Sequence, residues 1–144
     1  MDEKKIIKWL LAGDVSVQYQ VHRDLLATER NDLRKRIANE GFGEKFLSKR
    51  KAKGHWGKEF YQPKWISTHY TLLDLRNLNL PPNNEIVKET IEMVLEMGKA
   101  EDGGIPLGPS TSQHSDVCVN GMFLNYGSYF KPQERNYTLL LIVF

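Results

Sequence analysis

Asp116-Val117-Cys118 sets a carboxylate and a thiol two residues apart. Once ionised, both groups suit zinc, and a histidine would complete a set of three protein ligands. His69 is one candidate for that third ligand, and His114, nearer in the chain, is another. A plainer assignment competes with zinc and outweighs it. Asp116 is also a natural helix N-cap, and Cys118 is a small apolar side chain of the kind that fills a packed helix. The second chemical set is aromatic: His55, Trp56, Trp65, His69 and Tyr70 supply faces that line apolar pockets and attract cations. A tryptophan beside a glycine loop can instead staple neighbouring elements together, an alternative that weighs most for Trp56.

Charge narrows the partners. Lys45, Lys49, Arg50, Lys51, Lys53 and Lys58 form a basic run beside Trp56, Phe60 and Tyr61. Such a run is usually one solvated helix face, and a net charge of +2 over 144 residues gives no global case for nucleic acid. With 40% hydrophobic and 26% charged residues the chain has the composition of one globular domain, residues 1–144. The single cysteine excludes an internal disulfide and fits a reducing cytoplasm. The apolar stretch Ile6–Leu11 is too short to span a membrane. The six apolar residues Leu139–Phe144 at the end of the sequence admit three readings: a docked final helix, a surface for self-association, or an interrupted end.

The elements that must position these residues read as helices. Asp14 or Ser16 can cap a helix to about Ala27, with Val17, Val21, Leu25 and Leu26 on its apolar side. Asp32–Glu40 is a short charged helix closed by Gly41. Phe42–Lys51 is another, with Phe42, Phe46 and Leu47 facing inward. Ile66–Leu78 follows a loop, and Pro81-Pro82 with Asn83 or Asn84 as cap introduces Glu85–Met97. That last helix carries the clearest stripe, Ile86, Val87, Ile91, Val94 and Leu95, opposite Lys88, Glu89, Glu92 and Glu96. Ser115–Phe130 is apolar on most sides and is expected to be buried on most sides, with Gly121 and Gly127 allowing close backbone approach. No strand alternation is present.

An internal echo organises this order. Gly54-His55-Trp56 stands 13 residues before Ser67, and Gly103-Gly104-Ile105 stands 13 before Asp116, an offset of 49. Each unit is a glycine loop, an apolar helix, a turn and an amphipathic helix. Such units cannot bury their apolar faces alone and must stack. Under this offset Cys118 matches His69, which places both at the same rim.

Several of these strings resemble a known group. Lys53-Gly54-His55-Trp56-Gly57 is similar to the glycine-aromatic end of the repeat of squalene and oxidosqualene cyclases, and Asp102-Gly103-Gly104-Ile105 to a degenerate copy of it. The residues Tyr61-Gln62-Pro63-Lys64-Trp65, Ser67-Thr68-His69-Tyr70-Thr71 and His114-Ser115-Asp116-Val117-Cys118 resemble bacterial proteins with prenyltransferase and squalene-oxidase repeats. That group falls within the terpenoid-cyclase and protein-prenyltransferase superfamily. The resemblance covers roughly residues 5 to 130 and implies an all-α fold of stacked helical hairpins, a partial α/α toroid cut from a longer one. It implies an apolar or isoprenoid-like ligand. It also implies, as the alternative, a prenyl-transfer or cyclase activity at the rim near His69, Asp116 and Cys118, with zinc holding a peptide thiol as thiolate. Cyclisation in that superfamily uses an aspartate-rich acid motif, and the aspartates here are isolated.

Overall fold

Apolar spacing of three and four becomes helix in the computed structural model, which describes residues 2–97, 99–107 and 114–130. Among these are seven α-helices: α1 Glu3–Leu11, α2 Val15–Asp24, α3 Asn31–Arg36, α4 Gly41–Leu47, α5 Thr68–Asn77, α6 Glu85–Glu96 and α7 Val117–Phe130. No strand occurs among the described residues, so the fold is all-α. Leu139–Phe144, and the readings attached to it, lie outside the described residues.

Side-chain caps fix several helix starts. Asp2 accepts from the Lys4 N–H (3.1 Å) and opens α1, where the sequence had shown only a short apolar stretch. Asp14, rather than Ser16, caps α2. Its Oδ1 accepts from the Ser16 N–H (2.9 Å) and hydroxyl (2.6 Å), and its Oδ2 accepts from the Phe42 N–H (2.9 Å). One carboxylate therefore joins the starts of α2 and α4. Asn84 caps α6 through the Val87 N–H (3.2 Å).

Asp14→Ala should accordingly cost about 2–3 kcal/mol, more than a simple cap, because two helix starts lose their acceptor. Urea unfolding measures this, and Asp14→Asn should recover much of it. Burial pushes the Asp14 carboxyl up, but the bonds from Ser16 and Phe42 outweigh burial and hold it below the ordinary value.

Packing corrects three sequence assignments. Helix α2 ends at Asp24, and Leu25 and Leu26 beyond it are exposed instead of facing inward. Phe42 is exposed as well; its contribution is its backbone N–H to Asp14. On α6 the buried stripe is Val87, Thr90, Ile91 and Val94, and Ile86 lies outside it.

Helix α5 packs on α7, α6 touches α7, α4 touches α5, and α2 is flanked by α1, α3 and α4. Leu72 and Leu75 of α5 meet Phe123, Tyr126 and Phe130 of α7 and Val87, Ile91 and Val94 of α6 in one core, each no more than 1% exposed. Burial of each such side chain contributes about 1.5–3 kcal/mol before entropy is counted. Helix α7 buries one face, through Val119, Asn120, Phe123, Tyr126, Gly127 and Phe130, but it is not buried on most sides as expected: Val117 is 61% exposed, and Cys118, Gly121, Asn125 and Ser128 are exposed along its other face. Open space surrounds Gly121, so no backbone approaches closely there.

The 49-residue echo is a repeated backbone structure. Lys51 N–H donates to the His55 carbonyl and Ala100 N–H to the Gly104 carbonyl, both at 2.9 Å. Gly54 N–H donates to the Lys51 carbonyl and Gly103 N–H to the Ala100 carbonyl, again both at 2.9 Å. Gly54 (φ +86°) and Gly103 (φ +84°) occupy the left-handed region that glycine enters without steric cost. The helix before each loop ends at Leu47 or Glu96, and the helix after it begins at Thr68 or Val117. All these pairs stand 49 residues apart.

Candidate functional site

Each loop is pinned to the following helix by a buried polar side chain. Thr68 Oγ1 accepts from the Trp56 N–H (3.1 Å) and donates to the Trp56 carbonyl (3.2 Å). Asn120 does the same for Ile105, accepting from its N–H (2.8 Å) and donating to its carbonyl (3.1 Å). Trp56 and Ile105 are repeat equivalents, while Asn120 stands about one turn deeper than Thr68. The second loop is also tied by Asp102, whose carboxylate accepts from the Gly104 (3.0 Å) and Ser115 (2.7 Å) N–H groups and is held below the ordinary carboxylate value by those bonds. A Cβ on Gly104 would collide with the Ser115 side chain, which explains why glycine stands where the first loop has His55.

Between the two loops lies a pocket of about 300 Å³, lined by His55, Phe60, Met93, Met97, Pro106 and the stems of Lys58 and Glu59. Its exposed lining is mainly carbon and sulfur. His55 Nδ1 donates to the Trp56 carbonyl (3.3 Å), and since a carbonyl only accepts, Nδ1 holds the proton and Nε2 is the acceptor when the ring is neutral. A wider hollow of about 530 Å³ beside α1 is lined by Glu3, Lys4 and Lys8 together with Ile7, Leu11 and Leu26; it is shallower and more charged.

The five aromatic candidates divide. Trp65, His69 and Tyr70 come together, with Trp65 4.9 Å and His69 5.1 Å from Tyr70 between ring centres. Phe60, Tyr61 and Tyr126 complete the cluster around His69 at 5.4, 5.6 and 5.6 Å. His55 faces the pocket instead. Trp56 is buried and donates its indole N–H to the Phe46 carbonyl (2.7 Å), tying its loop to α4. Phe60 spans both places, since it lines the pocket and meets the His69 ring edge-on.

His69 is fully buried, with Nδ1 3.1 Å from the Tyr126 hydroxyl and Nε2 without a partner among the described residues. Burial lowers its pKa to about 4 against a smaller opposing pull from Asp116, so the ring is neutral at pH 7. Tyr70 is pushed up to about 12, first by burial, then by its hydrogen bond to Tyr61 and by the nearby Cys118 and Asp116. The start of α7 therefore lies near the start of α5.

There Asp116 caps α7, accepting from the Val119 N–H (2.8 Å). Cys118 is exposed, contrary to a role as packing filler. Among the described residues no three His, Cys, Asp or Glu side chains are grouped closely enough to hold a metal ion, so His69, Asp116 and Cys118 do not form a ready three-ligand centre. No described helix is long and apolar enough to cross a membrane.

Met93, Met97, Phe60 and Pro106 were not among the sequence candidates. Met93 on α6 and Met97 at its C-cap are four apart, a spacing that put them on one face, but nothing in the sequence indicated that this face meets the first glycine loop. Compared with family models, with curated proteins and with solved structures, the chain matches none.

Proposed function

We propose that this chain is a portion of an α/α toroid that binds an apolar, isoprenoid-like small molecule between its repeated glycine loops. In this reading α5 and α7 are inner helices, and α4 and α6 are outer ones. The pocket between the loops carries the proposal. Its volume sits at the small end of the range for ligand sites. Its walls are one aromatic ring, one proline and two thioethers, and methionine adapts its shape to an apolar guest. His55 adds a ring nitrogen that can hydrogen-bond a hydroxyl, and Lys58 and Glu59 also stand at the lining. The repeat makes the pocket a product of the fold, because each loop supplies one wall. Binding alone accounts for these features without a catalytic step.

A fluorescent apolar probe such as N-phenyl-1-naphthylamine tests this, with farnesol as competitor. Saturable binding near one probe per chain is expected, displaced by farnesol and weakened at least about tenfold by Met97→Glu, which places a charge in the apolar pocket. Helix content should not change, since Met97 is partly exposed at the end of α6. Non-saturable binding, or equal affinity in Met97→Glu, would count against the proposal.

A further inference from the structure

At the opposite ends of the helices, cations gather on tyrosine. Arg34 closes α3 and Arg76 closes α5, positions where a positive charge favours the helix carbonyl ends. That explains one arginine at each end but not their convergence. Both guanidinium carbons lie 5.9 Å from the ring centre of Tyr129 on α7, so they are within about 12 Å of each other. Arg34 also stands 5.8 Å from the Tyr19 ring. The Tyr129 hydroxyl accepts from Arg34 Nη2 (2.8 Å) and donates to the Leu80 carbonyl (2.8 Å).

The neighbouring carboxylates are engaged elsewhere. Asp24 pairs with Arg23 through two bonds (2.6 and 2.8 Å), Asp32 pairs with Arg30, and Glu29 accepts from the Tyr19 hydroxyl (3.3 Å). Among the described residues no carboxylate oxygen lies within 4.0 Å of Arg34 or Arg76. Among the described residues Arg76 Nε is buried with no partner, and Arg76 otherwise donates only to Asn77 Oδ1 (3.3 Å). Arg34 Nε makes one long bond to the Asn79 carbonyl (3.4 Å). Two half-buried guanidinium groups with unused donors, facing one ring, match an anion that accepts from several directions at once.

We propose that Arg34 and Arg76 hold a small tetrahedral oxyanion, either free phosphate or a phosphomonoester, beside Tyr129. The full chain is titrated with inorganic phosphate and, separately, with phenyl phosphate at matched ionic strength, by calorimetry and by the arginine Nε–H signals in NMR. Saturable one-to-one binding of either is expected, and the two titrations show which source is preferred. Arg76→Gln should weaken it about tenfold or more, while Arg30→Gln, an exposed arginine already paired, should not. Arg34→Gln should weaken binding too, but it also loosens Tyr129, so Arg76→Gln carries the test. Absence of saturable binding, or undiminished binding in Arg76→Gln, overturns the proposal.

Discussion

Lowering the pH from 6.5 to about 4 should remove roughly 3 kcal/mol of stability through His69 alone. The histidine of the unfolded chain takes up a proton near 6.5, whereas the folded ring, out of reach of water, does so only near 4. Between those values the unfolded state binds more protons, so each step down in pH favours unfolding, by up to about 1.4 kcal/mol per unit. The contribution is whole above 6.5 and gone near 4. Other groups act in part of this range. Burial raises the Asp74 carboxyl and gives a slope of opposite sign, while Asp14 and Asp102 are lowered and lose their contribution in more acidic solution. The difference between the natural chain and His69→Gln isolates the histidine, because glutamine can keep a bond to the Tyr126 hydroxyl and does not titrate. Urea unfolding from pH 4 to 8 should give a difference that falls below pH 6.5; a flat difference would show that His69 is not desolvated.

Asn120→Leu should cost about 3–5 kcal/mol. Asn120 is 1% exposed and serves both backbone groups of Ile105, and its amide also donates to the Asp116 carbonyl (3.0 Å). Leucine fills similar space but strands a buried N–H and a buried carbonyl, each costing about 1–3 kcal/mol. Asn120→Asp keeps the acceptor for Ile105 N–H, loses the donor and sets a charge against two carbonyls, so it should also destabilise. Thr68→Val is the matched change in the first unit and should cost about 1–3 kcal/mol by the same mechanism at Trp56. Denaturant midpoints measure all three. An Asn120→Leu protein within about 0.5 kcal/mol of the natural one would mean that the second loop is not pinned as described.

Much of this was legible in the sequence. Apolar spacing located most of the helices, and the glycine pairs gave the repeat offset that the loop hydrogen bonds follow. Asp116 and Asn84 were legible as caps because an acceptor side chain precedes an apolar run. What escaped the sequence depends on residues far apart in the chain. Asp14 reaches Phe42, and Thr68 and Asn120 reach back to the loops, so no local pattern separates these polar groups from solvated ones. The pocket was missed for the same reason. Met93 on α6 and Met97 at its C-cap form an unremarked pair until the loop carrying His55 and Phe60 closes over them. Leu25, Leu26 and Phe42 misled in the other direction, because apolar spacing cannot tell a core face from one left uncovered.

The methionine methyl groups test the central claim most directly. With 13C-methyl methionine and a farnesol titration, the Met93 and Met97 signals should shift and saturate together, while Met122 on α7, away from the pocket lining, stays in place. Unmoved Met93 and Met97 signals at saturating farnesol, or a shift confined to Met122, would contradict binding between the repeated loops.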